Sequence, residues 1–398
     1  MDPVVSRHVP PSPSRFVPTE AIREAYGSRV DRLGFHLLES DPLGDRAAEV
    51  LATRSKAERS AIVTNVLSGG ASADVPREVR DVVEHAASVP FWFDSRRGER
   101  GGRAFVRTAL AGGLVLAFRS LVLGYTSPAG NKPLVFSGRL VEAAPRRVAE
   151  TSHFVHSVTS PGGMARSGPG FASAVRVRLM HAEVRRQLLA APGWRTETWG
   201  IPINQYDMAG TVLLFSDALA DGLARLGLPF DDDAREDLLH LWRYVGHVLG
   251  VTPELLVAST RDAGELWEMI LGTTAAPDDD SRALARALVA IPVRLPTTPR
   301  ARKTAEAHVR FAYGLSRRLL GDEVADALGY PPTAWTDVLR ALRPVFGAGR
   351  RVLGSSILSP AVGRVLDTNG ARYWDRVVRE GLVAGPATYT VDGPVRVS

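Results

Sequence analysis

Apolar residues recur at three- and four-residue intervals along almost the whole chain, the pattern of helices with one buried face. AAEVLATRSKAERSAIVTNVL at 47–67, REVRDVVEHAAS at 77–88, FVRTALAGGLVLAFRSLVLGY at 105–125 and DDDAREDLLHLWRYVGHVLG at 231–250 all carry it. Punctuation agrees: Pro229 precedes the acidic run Asp231–Asp233, Asn204 and Asp207 stand where N-caps belong, and Thr252-Pro253-Glu254, Asp278–Asp280 and Pro331-Pro332-Thr333 are further helix openings. Gly246 reads as a site of close helix packing. Only the C-terminal ATYTVDGPVRVS reads as extended. The pattern therefore predicts an all-α protein: a flexible Pro- and Ser-rich arm over 1–18, then one large helical domain over 19–398, with no internal repeat and no linker.

One helix has an unusual composition. In RVRLMHAEVRR at 176–186, a wheel of 100° per residue puts Val177, Met180, Val184 and Leu188 on an apolar stripe. His181 falls at its border, with Arg178 and Arg185 just beyond. An imidazole so placed can reach a buried cofactor while the arginines reach its acidic edge, the shape of a haem with its propionates. It can equally be a half-buried histidine beside solvated arginines, and the wheel alone favours that reading. Upstream, RRVAETSHFVHSV at 146–158 sets Arg147, Glu150, Thr151 and Phe154 on one helical face, where a simple surface ion pair is the alternative.

Composition narrows the chemistry. The 398 residues include no cysteine, which excludes disulfides, zinc–thiolate sites, iron–sulfur clusters and covalent haem attachment through C-x-x-C-H. Any transition metal must be held by histidine and carboxylates. No Walker loop, dinucleotide turn, nucleophile elbow or H-E-x-x-H pair is present, although His153 with His156 and His240 with His247 have helical spacing. The net charge of +6 is carried by dispersed arginines, so no nucleic-acid partner is expected. The most apolar run, LAGGLVLAF at 110–118, is too short to span a bilayer, and the N-terminus has no signal core. A cytoplasmic protein without stable membrane insertion is the expectation; the oligomeric state is left open.

In order and spacing, RRVAET, RVRLMHAEVRR, NQYDMAGTVLLFS and HLWRYVGHVLG resemble the rubber oxygenases, or latex-clearing proteins, and the related fungal prenyl-cleaving oxygenases. VPFWFD at 89–94 and LVLGYTSPAGNKPLVFSGRL at 121–140 extend the likeness, which covers about residues 75–270. The resemblance implies an all-α domain with a globin-like core that holds non-covalent haem b, its iron ligated by His181, with Arg178 and Arg185 lining the haem side of that helix and supporting the propionates or the core. It also implies that Arg147 and Thr151 stand on the distal side, and that the reaction is O2-dependent cleavage of a carbon–carbon double bond in an isoprenoid or other apolar alkene. A non-catalytic haem- or lipid-binding protein on the same fold is the competing reading. Two departures stand out. Glu150 occupies the position of the family's distal lysine, and Asn131 and Lys132 stand where an acid is expected, which suggests a charge-reversed Glu150–Lys132 pair. The missing export signal points to a soluble alkene as substrate rather than polyisoprene.

Overall fold

The computed structural model describes residues 12–70, 74–136, 144–291, 298–353, 360–382, 387 and 389. Eight helices position the site: α1 (Pro42–Ala52), α2 (Arg77–Ala87), α3 (Ser95–Arg107), α4 (Ala144–Thr159), α5 (Pro169–Ala190), α6 (Gln205–Phe215), α7 (Asp232–Val248) and α8 (Pro360–Gly381). The fold is all-α; among the described residues the β-type pairing is a single bridge between Phe16 and Thr274.

α3 and α7 form the central pair. They approach closely because α3 turns glycines toward its partner: a Cβ on Gly101 would lie 2.2 Å from the Asp237 carbonyl oxygen. α4 packs between α5 and α8, and α5 lies along α1. Trp242 of α7 joins these layers, stacked on Phe215 of α6 at 4.9 Å and edge-on to Phe154 of α4 at 6.2 Å. Gly246, one turn on, fits against Leu256, to which a Cβ would be 2.7 Å away.

Most of the predicted helix starts are found. Asn204 caps α6 through the Asp207 amide, Asp231 caps α7 through Ala234, and Asp278 caps the helix Asp279–Val289. Thr252-Pro253-Glu254, by contrast, opens only the 3-10 turn Pro253–Leu255. The chain bends at once so that the Leu256 carbonyl accepts from Arg243, and the next helix begins at Thr260 with Ser259 as its cap. Of the apolar run 110–118, Val115 and Leu116 are core while Leu110 is exposed: Ala109 breaks the helix with a φ of 45°, and a π-turn at Leu116–Ser120 carries Arg119 inward to Asp221 and the carbonyls of Ala218 and Leu319. No single helix among the described residues is long and apolar enough to cross a membrane.

The arm expected to be flexible over 1–18 is anchored from residue 12 onward. Arg15 forms a bidentate pair with Asp207, both contacts at 2.7 Å, and also donates to Ser127 and the Trp199 carbonyl. A buried guanidinium that meets a planar carboxylate across the fold holds this part of the arm against the body. Residues 1–11, and the extended segment predicted at 387–398 apart from Ala387 and Tyr389, lie outside the described residues.

Candidate functional site

α5 departs from the wheel's first reading in burying its two arginines. Its most buried face runs through Ala174, Val175, Arg178, Ala182, Arg185 and Leu188, with both arginines almost completely enclosed. Of the expected core stripe, Leu188 is enclosed, while Val177, Met180 and Val184 are only half-buried.

Partners across the fold explain the buried arginines. Arg178 grips Asp41 with two hydrogen bonds, Nε to Oδ2 at 2.6 Å and Nη2 to Oδ1 at 2.7 Å. Its Nη1 faces His85 Nδ1 at 3.1 Å and donates weakly to the Val248 carbonyl. Arg185 pairs with Asp45 and donates to two successive carbonyls, Pro202 at 3.0 Å and Ile203 at 2.8 Å. Ile203 adopts a φ of 51° there, a conformation that costs a branched residue on the order of 1–3 kcal/mol. Gly250, at φ +84°, leaves room for the first pair: a Cβ there would sit 2.6 Å from Arg178 Nε and 2.7 Å from Asp41 Oδ2.

Of the two roles expected for Arg178 and Arg185, supporting a cofactor's acidic edge or supporting the core, these partners favour the second. Charge-assisted pairs inside the protein take most of their N–H groups, so what they support is the core. Asp41 and Asp45 belong to this arrangement and were not singled out in the sequence, because no local spacing links them to arginines about 140 positions away.

His181 stands between the buried arginine face and the half-open apolar stripe. Its Nδ1 is buried without a hydrogen-bond partner, and the ring makes no hydrogen bond to any described residue. Burial, with the nearby Arg185 cation, pushes the imidazole down to about 4, against a weaker opposing pull from Asp41. The ring is neutral near pH 7, which is the state that ligates a metal. A buried nitrogen with nothing to bond is also costly unless a ligand satisfies it.

α4 packs directly on α5 and places Arg147, Glu150 and Thr151, all half-buried, along the turn above Phe154. Glu150 pairs with Arg146 one turn back at 3.0 Å. Lys132 instead holds Asp280 at 2.7 Å and Asp278 at 3.5 Å. The expected Glu150–Lys132 pair is not formed, because each charge finds an opposite partner nearer at hand. The structure adds Tyr389, whose hydroxyl meets His153 Nδ1 at 2.6 Å and reaches toward the Glu150 carbonyl at 3.4 Å. Of the other paired histidines, His156 meets Asp375, His240 accepts from the Asp94 amide and His247 donates to the Ser88 carbonyl. A cavity of about 320 Å³ opens elsewhere, lined by residues that include Arg15, Phe16, Lys132, Trp199, Tyr206 and Thr274. None of the six candidate residues borders it.

Two of these histidines make stability depend on pH. His85, like His181, lies at about 4, through burial, the Arg178 cation and neighbouring His247. Since both values lie below the unfolded 6.5, the unfolded chain binds protons that the folded one refuses between about pH 6.5 and 4. Stability is expected to be level above pH 6.5 and to fall across that window. The loss is at most about 3 kcal/mol from His181 and, after allowance for solvent screening, about 1 kcal/mol from half-exposed His85. Urea titrations at pH 7.5, 5.5 and 4.5 read this directly; equal midpoints at all three would contradict it. Asp41 acts at lower pH still: burial pushes it up, but the hydrogen bonds from Arg178 hold it below the ordinary carboxylate range.

Comparison with known proteins agrees with this architecture. The model of the ER-bound oxygenase mpaB/B′/rubber oxygenase catalytic domain matches residues 105–353, which include all six candidates. A rubber oxygenase of Streptomyces sp. (strain K30) is 25% identical over 260 residues, covering 64% of this chain and 61% of that protein. The match thus spans less than two thirds of that relative. A latex clearing protein solved in the closed state shares the fold, with a TM-score of 0.68 at 22% identity over 85% of this chain and 91% of that one. With more than half of its length matched by the family model, the chain belongs to the family of the ER-bound oxygenase mpaB/B′/rubber oxygenase catalytic domain.

Proposed function

We propose that the chain is a haem b-dependent oxygenase that uses O2 to cleave a carbon–carbon double bond of an isoprenoid or other apolar alkene, one oxygen atom going to each of two carbonyl products. The observation that carries this reading is His181: a half-buried imidazole, favoured in its neutral form, whose Nδ1 is enclosed without a partner among the described residues, beside an apolar stripe left half-open. Non-covalent haem b fits these residues. His181 would hold its iron, and Val177, Met180 and Val184 would keep water from the macrocycle. The bound haem would supply the redox chemistry with O2.

The remaining roles belong to α4. Arg147 and Thr151 would orient the reacting end of the alkene, while Glu150, positioned by Arg146, would take an allylic proton on its carboxylate and return it as the two carbonyls form. Haem-loaded protein incubated with short isoprenoids under O2 is expected to give carbonyl products by mass spectrometry, and none under nitrogen. An intact alkene would leave a haem- or lipid-binding protein instead. Glu150→Gln is expected to slow turnover by about a hundredfold with haem content unchanged. Unaltered turnover in that variant would remove Glu150 from the proton transfer.

A further inference from the structure

The segment Val89-Pro90-Phe91 joins α2 to α3 and exposes its two large apolar side chains, Phe91 completely. The turn is rigidly built. The Phe93 amide bonds back to the Pro90 carbonyl at 2.9 Å, the Asp94 amide donates to His240 Nε2 at 2.9 Å, and the Phe93 ring stacks on Tyr244 at 3.8 Å. Trp92 lies beneath the Arg243 guanidinium at 3.8 Å. Both neighbours of Phe91 in the FWF triplet are thus held against the body, and Phe91 is held up in solvent. Exposed apolar side chains on a firm scaffold mark a contact surface.

The helix that follows supplies charge. Gly98, Gly101, Gly102 and Phe105 face inward on α3, so Arg96, Arg100, Arg103 and Arg107, at spacings of four, three and four, form the outward stripe. Asp237 takes Arg100 and Asp367 takes Arg107. Arg96 and Arg103 are exposed and have no ion pair among the described residues. Of the acids nearby, Asp94 accepts from the amides of Arg96 and Arg97, Glu99 accepts from the Gly162 amide, and exposed Asp233 of α7 acts on Arg100.

We infer that the Val89–Phe91 turn and the arginine stripe of α3 form a docking surface for an anionic phospholipid bilayer. Phe91 and Val89 enter the acyl boundary, and Arg96 and Arg103 meet headgroup phosphates. The apolar tip favours a bilayer over a nucleic acid, which the arginines alone would suit equally well. Attachment is at the surface: no single described helix is long and apolar enough to span a membrane, and the pair that passes on composition, Ser95–Arg107 with Ala109–Gly124, is bent by 90° with its first helix packed on α7. The inference stands apart from the oxygenase reading, because lipid binding requires neither haem nor turnover.

Sedimentation with vesicles tests it, using phosphatidylcholine with and without about a third phosphatidylglycerol. The full chain is expected to bind the anionic vesicles at least about tenfold more tightly, and to lose that preference in about 0.5 M salt. Phe91→Ser should weaken binding by about tenfold, and the double variant Arg96→Gln/Arg103→Gln should abolish the anionic preference. Phe91→Trp should show a blue-shifted emission on mixing with anionic vesicles. These side chains are exposed, so unchanged circular dichroism is expected throughout. No vesicle binding, or binding indifferent to both sets of variants, overturns the inference. So does binding to duplex DNA that matches vesicle binding and is unaffected by Phe91→Ser.

Discussion

His181→Ala is expected to weaken haem binding by about a hundredfold or more, on the order of 3 kcal/mol, while leaving the fold intact. The two halves of that expectation come from one fact. Since the ring has no hydrogen bond to a described residue, its removal breaks nothing in the protein; a buried nitrogen awaiting a ligand simply disappears. Titration of apoprotein with haemin, followed by the Soret band, measures the first half, and far-ultraviolet circular dichroism the second. Because the imidazole lies near 4, haem affinity through His181 should be level from pH 8 to about 5 and fall as pH drops through 4, where the ring takes up a proton. An unchanged haem affinity in the variant would sink the haem reading, whatever the outcome of turnover assays.

Breaking the Asp41–Arg178 pair is expected to cost the protein about 3–5 kcal/mol, the largest stability effect of any single substitution considered. Asp41→Ala leaves a guanidinium buried between α5, His85 and the Val248 carbonyl with no counter-charge. Arg178→Met leaves the opposite charge buried beside Gly250. Since each single variant strands a charge that the double variant does not, Asp41→Leu with Arg178→Met should recover much of the loss, a strongly non-additive cycle in urea unfolding. Additive losses would mean that the two side chains act separately. Arg178 is one turn from His181, so the single variants should also broaden the Soret band of bound haem, whereas a surface pair such as Arg23–Asp31 should do neither.

The helices were legible because each amphipathic period and each N-cap is a local property. Asn204, Asp231 and Asp278 bond to amides three residues on, and their spacing alone announces this. His181 was legible as a candidate through its motif, and RRVAET marked α4 in the same way. What the α5 wheel could not give was direction. Hydrophobicity assigns Val177, Met180 and Val184 to the core and the arginines to solvent, and the fold does the reverse for Arg178 and Arg185. Arginine goes inside when a carboxylate is already there, and Asp41 and Asp45 arrive from a helix about 140 residues away. The same blindness led to a Glu150–Lys132 pair, when Arg146 and Asp280 lay closer.

The sequence by itself determined that this protein is all-α, contains no thiolate chemistry and carries a histidine on an arginine-flanked helix in a family-like order of motifs. Those are matters of composition, period and spacing along the chain. Only the tertiary structure decided which face of that helix is buried, that the arginines brace the core, and that His181 is pushed toward its neutral form with Nδ1 unpartnered among the described residues. Each depends on the field and packing of residues brought together from distant parts of the chain, which no local pattern encodes.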